Sequence, residues 1–235
     1  MEISFAGKIA VVAGGTGGLG RTVSLAFLDE GAKVVVPYRS EKEFLELKRA
    51  AAGRESQLIG RAVDVLDEAA VAKFVEEIGR IDVLVNTVGG YLGGVELWKL
   101  APADFDRMLS VNLRTGYLLA RAVVPGMLKR GHGAVVNVSA KAAVDHGAGA
   151  SAYAASKAAS LAMMDSLAAD TRATGVRVNS VLPSIIDTTV NREAMPNAKF
   201  DTWPKPEDIA KVILFLASDA AKVVHGAAVT VYGDS

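Results

Sequence analysis

Short runs of Val, Ile and Ala recur along the chain. Each is followed by a longer stretch in which apolar residues return every three or four positions. The short runs predict strands over 8–13, 33–36, 57–63, 81–86, 134–139, 176–182 and 227–231. The longer stretches predict helices over 21–30, 41–52, 67–78, 102–130, 151–174 and 206–217. Local signals set the boundaries. Gly31 ends the first helix, Pro37 stops the second strand, and Asp67 caps the third helix. Pro102 opens the long helix and Pro125 is expected to kink it. Residues 188–203 read as irregular with one short helix. The strands do not alternate apolar with polar residues, as expected when both faces are buried. The fold class is therefore α/β: a doubly wound, parallel, seven-stranded sheet with helices on both faces, in a single domain over 1–235. Ligands of such sheets sit at the carboxyl ends of the strands. That singles out 14–20, 38–39, 64–65, 86–90, 139–141 and 183–188.

Composition narrows the function classes. The 26 basic and 26 acidic residues cancel, which speaks against a nucleic-acid stripe or a polybasic membrane patch. The absence of cysteine excludes disulfides and thiolate metal sites. His132, His146 and His225 are scattered without a second ligand at metal spacing, so no metal is expected. The first residues lack a basic, apolar leader, and 212–217 is too short to span a bilayer. A soluble, cytoplasmic protein acting on a small molecule is expected.

Two motifs carry candidate chemistry. Tyr153 and Lys157 are four apart on a helix, so they share a face. An ammonium beside a phenol favours phenolate, lowers its pKa and suits it to acid–base work. The plainer alternative is a surface tyrosine and a snorkelling lysine. Upstream, Gly14, Gly18 and Gly20 follow the first strand in a G-x-x-x-G-x-G turn. Glycine there lets backbone N–H groups approach a pyrophosphate at a helix N-terminus.

With both motifs in this order, the sequence resembles the short-chain dehydrogenase/reductase family over essentially its whole length. The further matching pieces are Asp64-Val65, Asn86-Thr87-Val88-Gly89, Asn112, Arg177-Val178-Asn179 and Pro183 to Thr188. The resemblance implies a Rossmann-type oxidoreductase with Tyr153 as catalytic acid/base. It implies that Lys157 binds the nicotinamide ribose and lowers the tyrosine pKa, and that Asn112 holds a relay water. Gly14, Thr16, Gly18, Leu19 and Gly20 would line the pyrophosphate, and Asp64 and Val65 the adenine. Asn86 and Gly89 would lie on the adenosine ribose side, with Pro183, Ile186 and Thr188 at the nicotinamide. A homodimer or homotetramer is also implied.

The chain departs from the family pattern where its catalytic serine belongs. Thirteen residues before Tyr153 stands Ala140. Ser139 replaces that hydroxyl only if the loop is shifted, because neighbouring side chains of an extended chain point opposite ways. Ala13 and Thr87 are further departures. A branch of the family, the quinonoid dihydropteridine reductases, also lacks the serine. This chain is similar to it in Gly89-Gly90-Tyr91-Leu92-Gly93-Gly94, in Ala140 to Asp145, and between Leu182 and Trp203. The resemblance implies a planar, conjugated hydride acceptor, with 184–206 as a substrate lid. Tyr91, Trp98 and Trp203 are candidates to line a flat pocket, or equally to pack in a core or interface.

For the cofactor, strand two ends in Tyr38-Arg39 rather than an acid. A guanidinium there pairs with a 2′-phosphate, which favours NADP(H). NAD(H) remains the alternative, with Glu41 or Glu43 on the ribose. An alternative function is a sensor or scaffold that binds the cofactor without turnover.

Overall fold

The computed structural model describes residues 3–235. Seven parallel strands form one sheet: β1 (Ile9–Ala13), β2 (Lys33–Tyr38), β3 (Leu58–Ala62), β4 (Val83–Asn86), β5 (Gly133–Val138), β6 (Val176–Pro183) and β7 (Ala228–Val231). Their spatial order is β3-β2-β1-β4-β5-β6-β7. The order reverses beside β1, and the crevice between β1 and β4 opens there at the strands' carboxyl ends. The helices are α1 (Gly18–Asp29), α2 (Glu41–Ala50), α3 (Glu68–Ile78), α4 (Pro102–Leu109), α5 (Thr115–Arg130), α6 (Ser151–Asp170), α7 (Thr189–Ala194) and α8 (Pro206–Ala217).

Successive residues of one strand serve two cores. Val12, Val34, Val36, Val85 and Val136 pack with Phe27 of α1, Leu47 of α2 and Ile213 of α8. Val11, Val35, Leu84 and Val135 face Phe74 of α3, Leu119 and Val123 of α5, and Met164 of α6. That division is why the central strands lack an alternating pattern. The two edge strands differ. In β3, Arg61 and Ala62 are exposed, and in β7 every second residue is exposed.

Asp67 caps α3 as its sequence position suggests, accepting from the amides of Ala69 and Ala70. One proline expectation is corrected. Pro37 lies inside β2, paired with Arg61 of β3. Tyr38 O accepts from Val63 N on the β3 side. Pro37, one residue earlier, therefore faces the β1 side, where pairing has already stopped at Val35. Pro125 lies within α5, which continues through it to Arg130. The break in α geometry comes earlier, at Ser110–Arg114, a π-helical turn that holds Asn112. Helix α6 also ends sooner than expected, at Asp170, because Ala173 and Gly175 adopt positive φ. No described helix is long and apolar enough to cross a membrane. Among the described residues no cluster of His, Asp and Glu is grouped to hold a metal.

Candidate active site

The turn after β1 admits little besides glycine. Gly14 has φ +78°, and a Cβ on Gly20 would overlap the Gly14 carbonyl oxygen. Both the amide and the hydroxyl of Thr87 donate to Ala13 O, at 2.9 and 2.8 Å. Thr87 thus ties the ends of β4 and β1 together across the switch point. Gly17 precedes α1 without a side-chain cap, which leaves the first amides of the helix open to an anion. Thr188 leans over this start: a Cβ on Gly18 would lie 3.1 Å from its methyl. Leu19 is buried in the core, so only its backbone borders the turn.

On the adenosine side, Tyr38 stacks on Phe44 of α2, centroids 4.9 Å apart and planes 12° apart. Arg39 is exposed at the end of β2. Thr16 donates from its hydroxyl to Glu43 Oε2 at 3.0 Å, so a carboxylate reaches the glycine turn. Asp64 accepts from Leu66 N and is exposed, while Val65 is partly buried against the α3 core. Asn86 does not turn toward this side. It is 1% exposed, its amide donates to Asn137 Oδ1 at 3.1 Å, and its oxygen accepts from Val88 N. Inward packing of the strand end against α6 explains that placement, since Asn137 goes on to donate to Ser160.

Tyr153 and Lys157 face the crevice from the first turns of α6. Lys157 is 5% exposed, and its ammonium donates to Val138 O at 3.1 Å. Burial pushes the lysine down to about 8. Burial, with the neighbouring Tyr91 phenol adding to it, pushes the Tyr153 hydroxyl up to about 12. This reverses the lowered tyrosine expected from the motif. The reason is desolvation of both groups, together with an ammonium bound to a backbone carbonyl instead of the phenol.

Asn112 lies behind this pair. Its oxygen accepts from Gly90 N at 2.9 Å, and its amide donates to Gly90 O and to Ser156 Oγ, each at 3.0 Å. Ser156 in turn donates to Tyr153 O at 2.8 Å. The sequence reading did not single out Ser156, although its place three residues after Tyr153 puts it on the inner face of α6. Gly89 leaves the space that Lys157 and Asn112 fill: a Cβ would lie 3.1 Å from the ammonium and 3.0 Å from the amide oxygen.

Ala140 is extended, with φ −164° and ψ 161°, and buried. Ser139 does not stand in for a serine at that place. Its hydroxyl donates to Lys157 O at 3.0 Å, on the opposite side of the extended chain.

The aromatic candidates separate. Tyr91 meets Tyr153 edge-on, with centroids 5.0 Å apart, and is 70% exposed. Trp98 is 81% exposed and Trp203 only 6%. Trp203 packs on Phe200, and Arg192 lies over that ring while pairing with Asp187. These contacts anchor segment 184–206 instead of offering Trp203 to a pocket. Pro183 ends β6, Ile186 packs on the α1 core, and Thr188 caps α7 by accepting from Asn191 N.

Comparison with known proteins agrees with this geometry. The short chain dehydrogenase family profile matches residues 8–199. A 3-oxoacyl-[acyl-carrier-protein] reductase of Thermotoga maritima is 33% identical, with 97% of each chain covered. A D-threitol dehydrogenase of Mycolicibacterium smegmatis is 32% identical, covering 97% of this chain and 92% of its own. The solved structure of ElxO with NADP bound superposes with TM-score 0.89 at 26% identity, covering 96% of this chain and 97% of that one. The chain belongs to the short-chain dehydrogenase/reductase family and is an NAD(P)-dependent oxidoreductase.

Proposed function

We propose that this chain is a reductase that uses NADPH to reduce a planar conjugated or carbonyl acceptor, with a quinonoid dihydropteridine as the leading candidate. One observation carries the reading. Tyr153 is held as a protonated phenol at the crevice, while the neighbouring position of the extended loop presents only the methyl of Ala140. Such a site keeps its proton in place at neutral pH but lacks the usual serine hydroxyl to stabilise an oxyanion. A quinonoid ring, which spreads charge as it rearomatises, suits it better than a simple ketone.

The residues fit a dinucleotide. Glycines at 14 and 20 let the turn fold tightly on itself and on Thr87, and the start of α1 beside it is uncapped, with its first amides free for a pyrophosphate. When bound, the cofactor supplies hydride. Gly14, Thr16, Gly18, Leu19 and Gly20 hold the pyrophosphate, Asp64, Val65 and Gly89 border the adenosine half, and Pro183, Ile186 and Thr188 border the nicotinamide. Lys157 holds the nicotinamide ribose, Tyr153 delivers the proton from its hydroxyl, and Asn112 keeps the Gly90 loop in place behind them. Segment 184–206 closes over the acceptor. The family resemblance also supports a homodimer or homotetramer, which size-exclusion chromatography with light scattering resolves.

NADP(H) is favoured by Arg39 and by its presence in the ElxO structure. Glu43 opposes it, since its carboxylate at Thr16 repels a 2′-phosphate. Arg39→Ala is expected to lower the NADPH-over-NADH preference about tenfold, the size of one charge-assisted contact. Glu43→Gln is expected to raise it about threefold, as fits an exposed charge. Fluorescence titration of both cofactors reads the ratio, and an unchanged ratio in Arg39→Ala would overturn the NADP(H) assignment. The substrate reading is tested by following NADPH oxidation with quinonoid dihydropterin, quinones, α-diketones and aldehydes. Turnover of aldehydes above that of dihydropterin would overturn the dihydropteridine candidate.

A further inference from the structure

The site lacks the serine hydroxyl, and neither Ser139 nor Ser156 replaces it: Ser139 donates to Lys157 O and Ser156 donates to Tyr153 O. One other hydroxyl-bearing side chain meets Tyr153 directly. The ring of Tyr91 stands edge-on to it, centroids 5.0 Å apart at 76°, with 70% of the residue open to solvent at the mouth of the crevice.

This placement is built from both ends of a short loop. On one side, the Asn112 amide clamps both backbone groups of Gly90, at 2.9 and 3.0 Å, immediately before Tyr91. On the other, Val95 N donates to Gly149 O at 3.1 Å, two residues before α6 begins. Gly149 has φ +73°, and a Cβ there would lie 3.4 Å from the amides of Gly94 and Val95. Gly93 makes room for the phenol itself, because an added Cβ would overlap the Tyr91 oxygen. The π-helical turn that carries Asn112, the loop 90–95 and the start of α6 thus hold one exposed phenol beside the proton donor.

We infer that Tyr91 is a substrate-contacting residue whose hydroxyl donates a hydrogen bond to the acceptor's oxygen, the task left vacant at Ala140. This rests on the reductase reading above and adds a second donor to it. The proton transferred still comes from Tyr153. Tyr91 keeps its own proton and gives only a hydrogen bond, one that strengthens as negative charge gathers on the acceptor oxygen. The aromatic face of Tyr91 serves a planar acceptor at the same time. The acceptor class is therefore a conjugated carbonyl: flat enough to lie against the ring, and bearing an oxygen within reach of two phenols.

The test separates the ring from the hydroxyl. Tyr91→Phe keeps the edge-on contact and removes only the O–H. With NADPH and 2,3-butanedione or quinonoid dihydropterin as acceptor, kcat is expected to fall about 100-fold while KM changes less than about threefold, the lower end for loss of one oxyanion donor. NADPH affinity is expected to stay at its unmodified value. Adding Ala140→Ser to Tyr91→Phe is expected to recover at least about a third of kcat, because it restores a hydroxyl to the vacant place. Gly93→Ala, which displaces the phenol, is expected to resemble Tyr91→Phe in kcat. A Tyr91→Phe variant with unchanged kcat, or one impaired through KM alone, would overturn the role while leaving the reductase standing. Absence of turnover in the unmodified protein would overturn both together.

Discussion

Tyr153→Phe is expected to lower kcat by at least about a thousandfold and to leave the NADPH dissociation constant within about twofold of the unmodified protein. The magnitude follows from the phenol's place in the site. General acid catalysis contributes on the order of 10²–10⁴; the Tyr91 phenol meets the ring edge-on and supplies a hydrogen bond, not the proton. Ser139 and Ser156 are committed to backbone carbonyls, and Lys157 donates to Val138 O. The cofactor cradle lies on the other side of the crevice and does not use the phenol, so binding survives. The pH dependence has a definite sign. With Tyr153 held up at about 12, the donor stays protonated through the neutral range and reduction proceeds. The reverse oxidation requires phenolate and rises with pH. Stopped-flow and steady-state assays over pH 6–10 check both points. Turnover persisting in Tyr153→Phe at more than a tenth of the original rate would remove the tyrosine from the mechanism.

Lys157→Met is expected to abolish turnover and yet to stabilise the cofactor-free protein. A buried lysine depressed from 10.5 to about 8 disfavours its own charge. Because the folded pKa lies below the unfolded one, the unfolded chain binds more protons between pH 8 and 10.5, and stability rises with pH through that window. Below pH 8 the folded state carries the full cost, about 3 kcal/mol at roughly 1.4 kcal/mol per pKa unit. Methionine fills a similar volume without the charge and gives up one hydrogen bond to Val138 O, worth about 1 kcal/mol. The net gain of about 2 kcal/mol corresponds to a Tm higher by roughly 4–8 °C for a chain of this size. Calorimetry at pH 7 and pH 10 tests this, since the advantage over the unmodified protein should vanish at the higher pH. A lower Tm for Lys157→Met at pH 7 would show that the ammonium stabilises the fold instead. A higher Tm makes the lysine a residue kept for its reaction at the expense of the fold that carries it.

The layered sheet was legible because both its faces are buried, which writes unbroken apolar runs into β1, β2, β4 and β5. Glycine spacing located the turn after β1 because an added Cβ has nowhere to go at Gly20. Other features depend on contacts between residues far apart in the chain. Asn86 reads as a ribose contact until Asn137, 51 residues later, takes its amide. Trp203 reads equally as a pocket wall or as core until its burial with Phe200 in segment 184–206 decides for the core. The direction of the Tyr153 shift was misread for a related reason. The spacing to Lys157 is local, whereas the burial that dominates both groups comes from the sheet and the loops around them. The π-helical turn carries no local mark: it contains no proline, whereas Pro125, the visible helix breaker, lies inside a continuous α5.

The π-helical turn at Ser110–Arg114 limits how this chain can vary in length. A π turn takes up one more residue than an α turn, and each residue of an α-helix adds 100° of rotation. The wider turn absorbs that residue, so deleting one there would restore regular winding and leave α5 in nearly the same phase relative to α4. Leu119, Val123 and Met127 would keep their face toward the sheet, and the loss would fall on the hold of Asn112 on Gly90. Elsewhere within α4 or α5 a change of one residue is a change of phase, so the length of the 102–130 stretch is free to vary only at its ends or at the cost of that hold.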